Sequence, residues 1–345
     1  MKKIWLVIII CLMTVACRQP KREVVLYSEI HSTDRMREME LEVIKEFYNK
    51  GGRLLLLERG FCRGELFNHW ADTGNEQSLR LALSPTNTEY EELDNDIKFY
   101  KKILEICPDL RFYGVDIEHQ YIDFEDYFMD NVYSKLNEDK KAKADKSIEQ
   151  INKINNADFS DLYYNKSEHD DYVNLDNYRE AMMAENALEI INNTSEEIIG
   201  FFGRAHIAKL ENYDSMITMI QDKLPWVKDV DLVGQMEINP GDEEKLRVYG
   251  RDVYASLMTT DNSLTQGYGR VSSRETFVVK NSEDFKDCKV ISEPMPYYIA
   301  FKINPNEYYL MKYNIFGGSY YYKMFRVSDK HFDGSGNPMI EELEI

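Results

Sequence analysis

The stretch YSEIHST, Tyr27–Thr33, places Glu29 and His31 two residues apart, where an apolar run stops and a helical pattern begins. On a continuing strand, residues two apart point to the same side. A neutral imidazole can take a proton from water near neutral pH, and a carboxylate beside it holds its tautomer and stabilises the imidazolium. Similar groups follow other apolar runs. RLLLLE ends in Glu58, LRFYGVDI leads to Asp116, Glu118 and His119, and EIIGFFG continues through GRAH to His206. Three of the six histidines therefore stand just after strand-like segments. A second histidine, or an arginine, can stabilise a developing oxyanion or protonate a leaving group. The same glutamates and histidines could instead hold a divalent metal, and spacing does not separate the two cases.

Each of these residues also has an ordinary reading. His31, followed by Ser32, Thr33 and Asp34, can lead into a helix N-cap. Glu58 can pair with Arg59 at the surface, and Arg179 and Glu185 can be helix-surface charges. His69, His169 and His331 lie in polar surroundings and read as surface histidines.

The elements needed to gather such groups alternate along the chain. Strands are expected at Glu23–Glu29, Arg53–Glu58, Leu110–Ile117, Glu197–Gly203 and Val230–Met236. Helices are expected at Asp34–Lys50, with Met36, Met39, Val43 and Phe47 on one face, and at Glu89–Ile106, Leu175–Asn192 and Ala205–Lys223. The charged run Asp130–Asn155 reads as an exposed helical insertion, set within about residues 125–170. From about Thr276 aromatic and polar residues alternate, which predicts several β-strands with a hairpin turn at Gly317-Gly318. These tyrosine-rich strands read as an amphipathic sheet packed on the main domain, in preference to a binding face. The pattern specifies an α/β fold: a mostly parallel central sheet flanked by helices, a helical insertion, and a β-rich C-terminal segment. In an open α/β sheet, ligands bind beyond the carboxyl ends of the strands, where the Glu and His residues fall.

The front of the chain reads as a secretory signal. Lys2 and Lys3 precede the apolar run Ile4–Ala16, which is shorter than the ~20 residues a spanning helix needs. Thr-Val-Ala-Cys resembles a bacterial lipobox, which implies cleavage before Cys17 and lipidation of that residue, with residues 17–22 as a tether. A cell-envelope protein anchored by lipid is therefore expected. The formal net charge of −19 opposes binding to nucleic acid. Beyond Cys11 and Cys17, only Cys62, Cys107 and Cys288 remain, with no CxxC, so neither a disulfide framework nor a cysteine zinc site is indicated.

The order of motifs resembles the erythromycin esterase-like family, within a wider group that includes ChaN-like haem-binding lipoproteins and TraB/Tiki proteins. YSEIHST is similar to that family's opening Glu–His motif, LLLLERG to its second strand, and RFYGVDIE to its Phe-Tyr-Gly-Phe-Asp strand. NYREAMMAENALEI resembles an Arg-Asp-x-x-Met-Ala-Glu-Asn helix, GFFGRAHIAK the strand that carries a second histidine, and KLRVYGRDVYAS a segment near the family's end. The resemblance runs from about Val24 to Arg274. It implies that His31 is a general base activating water, that Glu29 and Glu58 orient it, and that His206 completes the site. Arg179 and Glu185 would line it, with Asp116 and Arg204 in the substrate-binding set. Ser28 stands in place of the motif's glycine, and Arg204-Ala205 in place of the usual residues before the second histidine.

The implied activity is hydrolysis of an ester or related bond in a small molecule, by His31-assisted attack of water and without a covalent intermediate. No Gly-x-Ser-x-Gly nucleophile motif is present. No cofactor is required on this reading. Two alternatives follow from the wider group: a lipoprotein that holds haem through His31 or His206, and a metal-dependent peptidase of the Tiki type.

Overall fold

Apolar runs of about six residues form the core strands. The computed structural model describes residues 22–30, 34–84, 90–118, 123–156, 169–209, 214–261, 271–295, 301–315, 318–332 and 338–345. Cys17, His31, His119 and Gly317 lie outside the described residues, as does the whole signal-like segment. Strands β1 (Val24–Glu29), β2 (Leu54–Gly60), β3 (Arg111–Asp116), β4 (Ile198–Gly203) and β5 (Lys228–Asp231) form a parallel sheet in the order β3-β2-β4-β1-β5. β2 pairs with both β3 and β4, so all four of its leucines are buried, and no alternation shows in its sequence. The helices in chain order are α1 (Asp34–Asn49), α2 (Phe61–Thr73), α3 (Glu76–Leu83), α4 (Tyr90–Ile106), α5 (Glu125–Asn131), α6 (Glu138–Asn156), α7 (His169–Asn193), α8 (Arg204–Ile207) and α9 (Met216–Lys223).

The described residues divide into two compact units. The first draws on Met1–Leu26, Leu41–Phe201 and Met219–Asp229, the second on Tyr27–Glu40, Phe202–Thr218 and Val230–Ile345.

In the first unit, α2 and α3 fill a stretch where the sequence pattern gives no helix. The reason is burial on all sides: Arg63, Glu65 and Asn68 are as enclosed as Phe61, Leu66 and Phe67, so no polar face marks the helix. The buried polar groups are matched elsewhere in the unit. Asn68 donates to the Phe112 carbonyl at 2.9 Å and accepts from the Phe112 amide at 3.0 Å, standing in for a strand at the edge of β3. Arg63 donates to the carbonyls of Ala82 and Ser84 at the end of α3. A Cβ on Gly64 would lie 2.5 Å from the Gly114 amide nitrogen, so α2 lies against β3 at a distance only glycine allows.

Helix α1 buries Met36, Glu40, Ile44 and Phe47, with Met39 and Val43 half-buried, so its inner stripe is rotated from the expected one. The expected exposed insertion is also corrected. α6 buries Ala144, Ser147, Gln150 and Ile151 along one stripe, too polar to read as a core face. Its Lys140 reaches the buried Glu65 at 2.9 Å. The expected helix Ala205–Lys223 is two pieces, α8 and α9, with non-helical chain at 208–209 and 214–215 between them. The fifth strand is Lys228–Asp231, followed by a 3-10 turn at Val233–Gln235, rather than a strand to Met236.

The second unit contains six antiparallel strands: β6 (Glu243–Val248), β7 (Arg251–Asp261), β8 (Val271–Val279), β9 (Tyr308–Ile315), β10 (Tyr320–Phe332) and β11 (Pro338–Leu343), ordered β11-β10-β9-β8-β7-β6. One face packs Val253, Ala255, Phe277, Val279, Leu310 and Met324 into a core with Phe285. The sheet thus begins at Glu243, ahead of the aromatic alternation at Thr276, which lies inside β8. β6 is mostly exposed and charged, which hides it. Its turn into β7 is Tyr249-Gly250, both at positive φ (46° and 86°), a backbone that tyrosine adopts rarely. The Tyr249 hydroxyl bonds to both the carbonyl and the amide of Tyr322, at 3.0 and 3.2 Å, and this docking offsets the strain of the turn.

Candidate functional site

The first unit carries a cluster of charge at the ends of β2 and β3. Arg179, from α7, spreads its guanidinium across two carboxylates. Its Nε donates to the Asp116 oxygens at 3.1 and 3.2 Å, and its Nη2 donates to Asp116 Oδ2 at 2.6 Å and Glu58 Oε1 at 2.8 Å. Side-chain exposure is 25% for Arg179, 11% for Glu58 and 1% for Asp116. Burial works against the guanidinium charge, but Asp116 and then Glu58 outweigh it and raise the Arg179 pKa. The β2–β3 register shifts between Leu57 and Gly60, with one extra residue on β2, and this irregularity is where Glu58 sits. Such bulges re-aim side chains beside functional sites. The planar fork of the guanidinium thus holds two carboxylates from neighbouring strands in a fixed orientation. Glu58 is thus paired with Arg179 and not with Arg59, while Glu185 stands exposed on α7 and pairs with Lys146 of α6 at 2.9 Å.

Two residues beyond Asp116, Glu118 is fully buried. Its Oε1 accepts from the Cys62 amide in the first turn of α2 and from Ser147 Oγ of α6 at 3.0 Å. Among the described residues its Oε2 has no hydrogen-bond partner. Burial raises its pKa, against the lowering effect of the Cys62 amide. The Cys62 thiol is pushed well up, first by burial and then by Glu118. Gly60 has no side chain because the Glu118 carboxyl occupies that space. In the sequence Glu118 reads only as one more acid after a strand. Its capping partner, Ser147, is 29 residues away in a helix whose inner face is not legible.

The second unit holds Glu29, half-buried at the end of β1, and His206, 7% exposed in the short turn α8. Ser28 and Arg204 meet at Asp231. Ser28 Oγ donates to Asp231 Oδ1 at 2.6 Å and Arg204 Nη2 donates to Asp231 Oδ2 at 3.0 Å. Asp231 was not legible as a site residue, because nothing in its local sequence ties it to residues 27 and 203 positions upstream. His69 is half-buried and its Nδ1 lies 2.8 Å from Ser78 Oγ, so it is part of the α2–α3 packing rather than a surface histidine. Among the described residues no group of three or more His, Cys, Asp or Glu is arranged to hold a metal ion. Nor is any described helix long and apolar enough to cross a membrane.

No protein-family model matches the chain, and no curated protein matches it. Several solved structures are similar at low identity. A Bacillus cereus protein is 15% identical with a TM-score of 0.41, over 75% of this chain and 77% of that one. An erythromycin esterase variant in its open conformation is 11% identical with a TM-score of 0.37, over 80% and 84%. Haem-bound ChaN of Campylobacter jejuni is 13% identical with a TM-score of 0.33, over 61% and 80%. These are slight structural likenesses and they carry no argument about the site.

Proposed function

We propose that the protein is a lipid-anchored hydrolase of the erythromycin esterase type, which directs water onto an ester or related bond of a small molecule at the cell envelope. The observation that carries this reading is the arginine-held pair of carboxylates, Glu58 and Asp116, at the ends of adjacent parallel strands. Structural ion pairs do not require a strand to bulge where the carboxylate sits, whereas re-aimed carboxylates at strand ends are common at sites of catalysis. In this reading His31 takes the proton from water, Glu29 steadies its imidazolium, and His206 serves the oxyanion or the leaving group. Arg179 keeps Glu58 and Asp116 oriented by its fixed fork. Cys17 carries the lipid.

The test is hydrolysis of a panel of simple esters and lactones by the full chain in mild detergent, beside His31→Ala and with and without chelator. Turnover that is lost in His31→Ala and indifferent to chelator supports the reading. No turnover on any ester, with a haem Soret band that His31→Ala or His206→Ala removes, would replace it with the haem-binding alternative. Turnover abolished by chelator would replace it with metal-dependent chemistry.

A further inference from the structure

Asp231 closes β5, and three segments of the second unit converge on it. Its Oδ1 accepts from Ser28 Oγ at 2.6 Å and from the Gly234 amide at 3.0 Å, while Oδ2 accepts from Arg204 at 3.0 Å. Ser28 is the residue before Glu29 in β1 and is 1% exposed. Arg204 begins the four-residue turn that carries His206, and the side chains of Arg204 and Asp231 are 12% and 17% exposed. Glu29 alternates with Ser28 along the strand, so the bond that anchors one leaves the other directed to the opposite side. His206 follows Arg204 by two residues, roughly 200° around the turn, so the ion pair holds one side of the turn and leaves the imidazole to the other.

We propose that Asp231 is a positioning residue: through Arg204 it sets the His206 imidazole, and through Ser28 it sets the end of β1 that carries Glu29. A serine hydroxyl and a guanidinium share one largely enclosed carboxylate with the Gly234 amide, so a change at one is felt by the other. This inference rests on the hydrolase reading for its catalytic consequence, but the placement of His206 can be read without any activity.

The test uses Asp231→Asn, Arg204→Met, their double variant and Arg204→Lys, with Asp252→Asn at an exposed ion pair as control. The full chain is labelled at histidine, and the ring signals of His206 are followed by NMR through a pH titration. The expected result is that Asp231→Asn and Arg204→Met shift the His206 ring signals and its titration midpoint alike. The double variant should add little, Arg204→Lys should restore part of the change, and the control should change nothing. Where esters are turned over, kcat should fall on the order of 10- to 100-fold in each single variant with KM little altered, as misplacement of a reacting group does. An unchanged His206 signal and titration in both folded single variants would overturn the proposal, leaving the ion pair a plain stabilising contact. Absence of turnover in the unaltered protein with a shifted His206 would instead sink the hydrolase reading and leave the positioning intact.

Discussion

Each unit has an arginine bonded to carboxylate, and the two arrangements are built differently. Arg179 bonds two carboxylates, with three of these bonds on Asp116 and one on Glu58. Arg204 bonds Asp231, whose other oxygen is taken by a serine hydroxyl and a backbone amide. The first arrangement holds charge ready at strand ends. The second holds chain segments in place. An arginine therefore reports different duties according to what else its carboxylate partners bind.

The contrast is sharpest in stability. Asp116→Ala removes the main partner of a largely enclosed guanidinium and should cost about 3–5 kcal/mol in urea unfolding of the full chain. A cost under about 1 kcal/mol would show that water already screens Arg179. Asp231→Asn keeps an acceptor for Ser28 and Gly234 and should cost less, about 1–2 kcal/mol by the same measurement. A cost equal to that of Asp116→Ala would erase the distinction.

Glu118 provides a subtler contrast, because it is a buried carboxylate with no arginine bonded to it. Burial raises its pKa from the ordinary 4.5. Below that value both folded and unfolded chains hold the proton, and the stability is fully present. As pH climbs toward the raised folded value, the unfolded chain releases the proton first and stability is lost. Glu118→Gln should remove this loss, so the difference in unfolding free energy between variant and parent should move in the variant's favour across that window. A difference that does not vary with pH would place Glu118 among ordinary carboxylates. The smallest effect is expected at Lys146→Ala, which removes a partner of both Glu185 and Glu189. Surface pairs of this kind contribute at most about 1 kcal/mol, and a larger cost would make α6 a more important support than its burial suggests.

The inner strands of the parallel sheet were legible where they hold continuous apolar runs, as β2 and β4 do, whereas β5, Lys-Asp-Val-Asp, has none. β2 and β4 are found within a residue or two of their expected places. The acids and histidines after those strands were legible for the same reason. What escaped was whatever depends on a distant partner. α2 has no polar face because Asn68, Arg63 and Glu65 are matched by β3, α3 and α6. α6 hides its buried stripe behind alanine, serine and glutamine. Asp231 and Glu118 have meaning only through Ser28, Arg204, Cys62 and Ser147. β6 is exposed and charged, so its membership of the sheet comes from pairing with β7.

The most direct single measurement is ester turnover by Arg179→Lys beside the unaltered full chain. Lysine keeps the charge but cannot span Asp116 and Glu58 with a fixed fork. If the fork organises the two carboxylates for catalysis, kcat should fall by on the order of 100-fold with the fold retained. Equal turnover in Arg179→Lys and the unaltered protein would contradict it and leave the cluster a structural ion pair.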